Sequence, residues 1–252
     1  MNASDIKIKP KWPQSKEDIW NKAFADSFAN SPVNSRRYRI KVWQYIAAAI
    51  ILAIAIANLY SVTRISSAGE HTAITLPDNS QLTLNAGSRI TYRPLGWFLG
   101  RTLRLEGEGY FEVKKGSTFS VISGKNKVKA LGTVFNVYSR NGKYRVTCVS
   151  GSVEVISERG SAILRSGMKA ICDGSDMKIA AGQAPEWMHG KLVFVETPLA
   201  EVIAEIERQY NIKVATSSEL NHLYTGNFSQ TEQAETVLEI VGKPFGITFE
   251  IE

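Results

Sequence analysis

A membrane-anchored, multi-domain fold is predicted by three observations. Residues 42–62 read VWQYIAAAIILAIAIANLYSV without one charge, all 19 glycines lie between Gly69 and Gly246, often every eight to ten positions, and helical periodicity returns after Pro185. The first predicts one transmembrane helix, the second an all-β, sandwich-like domain, and the third a small α+β domain. With 44% hydrophobic, 21% charged and 10% aromatic residues, the 252-residue chain is neither disordered, collagen-like nor a disulfide-dense miniprotein.

Residues 1–41 hold one helix signal. Ser15 with Asp18 three positions on forms a capping box, and Ile19, Trp20, Ala23, Phe24 and Phe28 recur on one face before Pro32 ends the pattern. A helix of about 14 residues builds no core alone, so Trp20, Phe24 and Phe28 need a partner protein, a membrane surface or their own dimer. A partner protein is the favoured of the three.

The uncharged run at 42–62 would span about 31 Å as a helix, the thickness of a bilayer's hydrocarbon core. Gln44, Asn58 and Ser61 interrupt it only near its ends, and Trp43, Tyr45 and Tyr60 fall at headgroup depth. Two alternatives compete. Polar flanks and length argue against a buried core helix, and the polar lead of 41 residues argues against a cleaved signal peptide, although Ser66 and Ala68 imitate a cleavage site. The formal charge of +6 resides almost wholly in residues 1–41, where nine bases face four acids, leaving 21 bases and 20 acids beyond. That remainder has no electrostatic footprint for nucleic acid. The cluster Arg36, Arg37, Arg39 and Lys41 abutting the run places the amino terminus in the cytoplasm by the positive-inside bias, and the rest of the chain across a bacterial inner membrane in the periplasm. Both cysteines, Cys148 and Cys172, fall on that oxidising side, as one disulfide or as two separately buried thiols.

From 68 to 183 the chain reads as all-β, with alternating runs at 81–84, 102–105, 110–113, 119–122, 144–149 and 152–156 between glycine turns. From 190 to 252 it reads strand, helix, strand, strand, helix, strand. Thr197 and Pro198 supply the N-cap and first position of the first helix, Leu199, Val202, Ile203, Ile206 and Tyr210 its buried face, and Asn211 its stop. A Ser229/Glu232 box opens the second helix, faced by Ala234, Val237, Leu238 and Val241 and closed by Gly242.

Catalytic and ligand-binding motifs are sparse. His71, His189 and His222 stand far apart with no metal-ligand spacing, and no phosphate-binding glycine loop occurs, so no metal or cofactor is expected. Glu106, Glu108 and Glu112 would share a face of one regular strand, the placement of a glycosidase acid and base. The stronger reading of RLEGEGYFEV is a solvated turn between two strands. Trp97 and Phe98 in PLGWFLG either stack on a sugar or partner or cover the end of a sandwich.

The segments LPDNSQLTLNAGSRITYRP, RTLRLEGEGYFEVKKGSTFSVIS, VKALGTVFNVYS and VSGSVEVIS with LRSGMKAI, in this order over residues 70–172, resemble the signature segments of the FecR family of anti-sigma regulators. Residues 190–252 resemble the βαββαβ domain of secretin and TonB short N-terminal type appended to FecR proteins, and residues 15–41 a short cytoplasmic tail of such a regulator. The resemblance implies an extracytoplasmic-function sigma factor held by Trp20, Phe24 and Phe28, a membrane lipid environment for residues 42–62, and a TonB-dependent outer-membrane receptor meeting the periplasmic part. It implies no enzyme activity except self-cleavage of the Gly132–Thr133 bond in LGTVF, by attack of the Thr133 hydroxyl on the Gly132 carbonyl. The runner-up is a membrane-anchored periplasmic module that binds a glycan or an envelope protein and regulates no sigma factor.

Overall fold

The computed structural model describes residues 14–29, 35–158, 160–173 and 176–252. The chain divides into two units, Met1–Ile54 and Ala55–Glu252. The first carries α1 (Lys16–Ala29) and most of α2 (Ser35–Leu59). The capping box forms, Ser15 Oγ accepting the Asp18 N–H at 3.1 Å and donating to the Asp18 carboxylate at 2.8 Å. The expected stop at Pro32 lies outside the described residues. In α2 the described side chains from 41 to 56 are all exposed. Among the described residues no helix is long and apolar enough to cross a membrane. The helix also stops short of the expected 62: Val62 instead opens β1 (Val62–Ser66), facing Tyr92 across an antiparallel pair. Its branched side chain fits a paired strand better than a frayed last turn.

Thirteen strands build the β part of the second unit. After β1 come β2 (Thr72–Thr75), β3 (Gln81–Leu84), β4 (Ser88–Tyr92), β5 (Arg101–Glu112), β6 (Phe119–Ser123), β7 (Asn126–Ala130), β8 (Val134–Arg140), β9 (Lys143–Ser150), β10 (Ser152–Ser157), β11 (Gly160–Arg165), β12 (Met168–Asp173) and β13 (Asp176–Ala181). One layer runs β1-β4-β5-β6-β7-β10-β11 and the other β2-β3-β5-β8-β9-β12-β13. The layers share β5, whose first half pairs β4 and β6 and whose second half pairs β3 and β8. The expected turn inside RLEGEGYFEV is therefore a crease in one continuous strand. Gly107 makes it, at φ +102°, where a Cβ would lie 2.5 Å from Ser88 Oγ and 2.9 Å from Ser88 Cα. Leu103, Leu105, Phe111, Phe119 and Phe135 fill the space between the layers, Phe111 stacking on Phe135 at 5.0 Å. Gly107→Ala should therefore cost about 2 kcal/mol or more, read as a fall of several degrees in the melting temperature of the detergent-solubilised chain.

The carboxy-terminal part has the expected order: β14 (Lys191–Pro198), α3 (Leu199–Tyr210), β15 (Val214–Ala215), β16 (Leu223–Ser229), α4 (Ala234–Gly242) and β17 (Glu250–Ile251). The strands form two antiparallel pairs, β14 with β16 and β15 with β17. Both expected helix starts shift. Thr197 and Pro198 end β14, and the first free N–H of α3, on Leu199, bonds the His222 carbonyl at 2.8 Å, so no hydroxyl cap is required. The Ser229/Glu232 pair closes a turn before α4, Ser229 N–H donating to Glu232 Oε1 at 3.1 Å, while Gln233 occupies the N-cap position without a side-chain capping bond. Asn211 stops α3 in the left-handed region at φ 53° as expected, and Leu199, Val202, Ile206, Val237, Leu238 and Val241 form the core.

Candidate functional site

In β8 the residues facing between the layers are Phe135 and Val137, each 0% exposed, yet Asn136 and Tyr138 on the opposite face are only 6% and 8% exposed. A second body covers that outer face. It is α3, whose apolar side holds its own core while Glu201, Glu205, Arg208 and Gln209, spaced i, i+4, i+7 and i+8, form a polar side against the sandwich. Glu201 accepts from Tyr138 Oη at 3.1 Å, from Lys143 Nζ at 2.5 Å and from Arg145, whose guanidinium stacks on the Tyr138 ring at 4.0 Å. Burial pushes the Glu201 carboxyl up, but hydrogen bonds from Lys143 and the Arg145 charge outweigh it and hold the group below its ordinary value. Burial, then the Glu201 charge, push the Tyr138 phenol up to about 12, so it remains a donor.

At the centre of this junction lies Glu108, 7% exposed. Its Oε1 accepts from Asn136 Nδ2 at 2.8 Å and from Trp187 Nε1 at 3.1 Å, and its Oε2 from Asn85 Nδ2 at 2.8 Å. Gln209 Nε2 then donates to Asn85 Oδ1 at 2.7 Å and to Glu205 Oε1 at 2.7 Å, tying α3 to the same network. Trp187 sits in the 3₁₀ turn Glu186–His189, and His71 meets its ring edge-on at 5.1 Å. Burial, then the neighbouring Glu205 charge, raise the Glu108 carboxyl above its ordinary value against the pull of its amide donors and Arg140. A cavity of about 490 Å³ opens beside it, lined among others by Thr147, Lys169, Trp187, Val193 and Glu205.

The three carboxylates read as one strand face do not converge. Glu108 is enclosed by donors, Glu106 pairs with Arg89 on the surface at 3.0 Å, and Glu112 is exposed. Of this network only Glu108 stood out in the sequence. A signal for Asn136 existed: VFNVY is apolar almost without interruption, the pattern of a strand covered on both faces.

The other residues singled out from the sequence lie apart from this junction. Gly132 precedes β8 at φ +139°, and a Cβ there would approach Lys115 Cγ to 2.6 Å and Lys115 Cα to 3.0 Å. Thr133 is 5% exposed and its hydroxyl oxygen has no hydrogen-bond partner among the described residues, an uncommon state for a buried polar atom. Cys148 and Cys172 are free thiols. Cys148 faces Met168 across the β9–β12 pair and Cys172 lies four residues further along, about 13 Å at strand rise, so of the two alternatives this geometry holds two separate thiols. Phe98 is 80% exposed, whereas Trp97 is 6% exposed and packs against Tyr92 and Phe119. On α1, Trp20 and Phe24 are 64% and 51% exposed with ring centroids 5.4 Å apart; the Phe28 side chain lies outside the described residues.

Two consecutive family domains match this architecture, the FecR protein domain over residues 63–154 and the FecR C-terminal domain over 191–252. The chain belongs to the FecR family. Two crystal structures, each of a candidate anti-sigma factor from Parabacteroides distasonis, are similar to it at 27% identity. One has a TM-score of 0.70 and covers 77% of this chain and 95% of its own, the other 0.69, 76% and 95%. No curated protein matches the chain.

Proposed function

We propose that the chain is a single-pass inner-membrane anti-sigma factor. Trp20, Phe24 and Phe28 of α1 hold an extracytoplasmic-function sigma factor on the cytoplasmic side, α2 crosses the membrane, and the sandwich with its carboxy-terminal partner receives the signal of a TonB-dependent outer-membrane receptor in the periplasm. The observation that carries the reading is the exposed aromatic face of α1. A short helix does not keep a tryptophan and a phenylalanine more than half exposed at no cost, and a partner's groove is the usual cover for such a face. Membership of the FecR family and the likeness to candidate anti-sigma factors point to a sigma factor as that partner. The membrane assignment is supported by the exposed Trp43, Ile46, Ile50, Leu52, Ile54 and Ile56, since a helix apolar on every side suits lipid rather than water. The test is capture of the tagged full-length protein from its own cells with identification of what co-purifies. A retained sigma factor supports the reading, and envelope proteins alone would replace it with the anchored binding module.

Cleavage between Gly132 and Thr133 belongs to the same proposal. The Thr133 hydroxyl attacks the Gly132 carbonyl carbon, the C–N bond breaks to leave an ester and the free Thr133 amine, and water then hydrolyses the ester to a Gly132 carboxylate and the restored hydroxyl. The left-handed Gly132 and the unpartnered hydroxyl favour this attack. A denaturing gel of the wild type should resolve fragments of 132 and 120 residues that Thr133→Ala abolishes. An unchanged band pattern in that variant ends the idea.

A further inference from the structure

The sandwich has a definite end where the chain enters it. Val62 is three residues beyond the end of α2 at Leu59, a reach of at most about 11 Å, and its register partner is Tyr92, the last residue of β4. The β4–β5 loop, residues 93–100, leaves from that point. It is not a slack loop: Trp97 is locked into the core against Tyr92 and Phe119 at 5.6 and 5.9 Å, and Arg101, 5% exposed, closes it by bonding the Asp78 carboxylate at 2.8 Å and the carbonyls of Lys114 and Ser117. Rigidly presented beyond these anchors are Leu95, Phe98 and Leu99, exposed by 53%, 80% and 63%. Leu131, 62% exposed, follows β7 at the same end, because Ala130 faces Phe119 and Phe119 faces Arg101. Exposed Lys114 and Lys115 belong to the same end of the sandwich, the Lys114 carbonyl accepting from Arg101 and Lys115 packing against Gly132, next to Leu131.

We propose that this end of the sandwich rests on the outer surface of the membrane crossed by α2, with Leu95, Phe98 and Leu99 inserted among the lipid headgroups. The proposal rests on the reading of α2 as a span and adds a second, independent lipid contact. Apolar tips flanked by lysines match an interface whose interior is hydrocarbon and whose surface is lined with phosphate. The tether holds the loop's end of the domain near that interface, which a glycan or soluble protein would have to displace. The lipid contact would fix the tilt of the sandwich and, through it, the presentation of the carboxy-terminal part.

The test uses the full chain in vesicles of phosphatidylcholine with a minority of phosphatidylglycerol, carrying an environment-sensitive fluorophore at Phe98→Cys, Ile51→Cys or Lys125→Cys. Lys125 sits in the β6–β7 turn at the other end of β6 from Phe119. The unsubstituted chain, with Cys148 buried and Cys172 half-buried, supplies the labelling background. The expected result is loss of iodide quenching and gain of quenching by lipid with a shallow doxyl group at position 98, deep-doxyl quenching at 51, and full iodide quenching at 125. Deep quenching at 51 with full iodide quenching at 98 overturns the loop contact and leaves the span. Iodide protection at 98 without lipid quenching overturns it in favour of a protein cover. Iodide quenching at 51 overturns the span and the loop contact together.

Discussion

Replacing Trp20, Phe24 and Phe28 together by alanine is expected to strip the sigma factor from the captured protein while leaving membrane insertion unchanged. Each truncated hot-spot aromatic costs about 2 kcal/mol or more, so even at half additivity the three weaken binding by roughly a hundredfold. Alanine is the strongest helix former, so loss of α1 cannot account for the result. The variant changes no charge, so encounter rates set by Lys16, Lys22 and the Arg36–Arg37–Arg39 cluster are preserved. Co-purification followed by mass spectrometry reads the outcome, and equal sigma-factor recovery from both forms would remove α1 as the contact.

Glu108→Ala is expected to be the most destabilising single change in the second unit. It leaves the amides of Asn85 and Asn136 and the indole N–H of Trp187 without their acceptor, at about 1–3 kcal/mol for each buried donor. The melting temperature should fall by roughly 10 °C, with a red shift of tryptophan emission as Trp187 meets water. Glu108→Gln keeps the shape and one acceptor, and its effect should be smaller. It also exposes the pH dependence of the junction. The folded chain holds the Glu108 proton more tightly than the unfolded chain, because of burial and the Glu205 charge. This group's stabilisation is therefore complete below its ordinary value of 4.5 and is lost as pH rises through the raised folded value. Glu201 and Asp78, held low, act in the opposite sense, contributing stability above their ordinary values that disappears in acid. The melting-temperature difference between wild type and Glu108→Gln isolates Glu108 and should shrink or reverse with rising pH; a difference constant across pH would show that Glu108 does not titrate in the junction.

The order of elements was legible because each follows from local patterns. The Ser15 box, the apolar stripe at Leu199, Val202, Ile203 and Ile206, the left-handed stop at Asn211 and the strand at Gln81–Leu84 all depend on neighbours within a few positions. Boundaries moved where a distant group intervened: the His222 carbonyl capped α3 in place of Thr197, and pairing with Tyr92 drew Val62 into a strand. The LGTVF and RLEGEGYFEV segments are visible as motifs, but two glycines in three residues ordinarily punctuate a chain, so the second reads as a solvated turn where the structure has a creased strand.

What the sequence by itself determined was the succession of amphipathic faces, the uncharged run, the glycine-punctuated strands and the family they spell. Only the tertiary structure decided that β5 runs unbroken through both layers, that Glu108 is enclosed by Asn85, Asn136 and Trp187, and that the polar side of α3 closes over the sandwich. The reason is physical: alternation says which side chains share a face, whereas what covers that face is set by residues far along the chain, through contacts such as Glu108 with Trp187 and Asn85 with Gln209, separated by 79 and 124 residues.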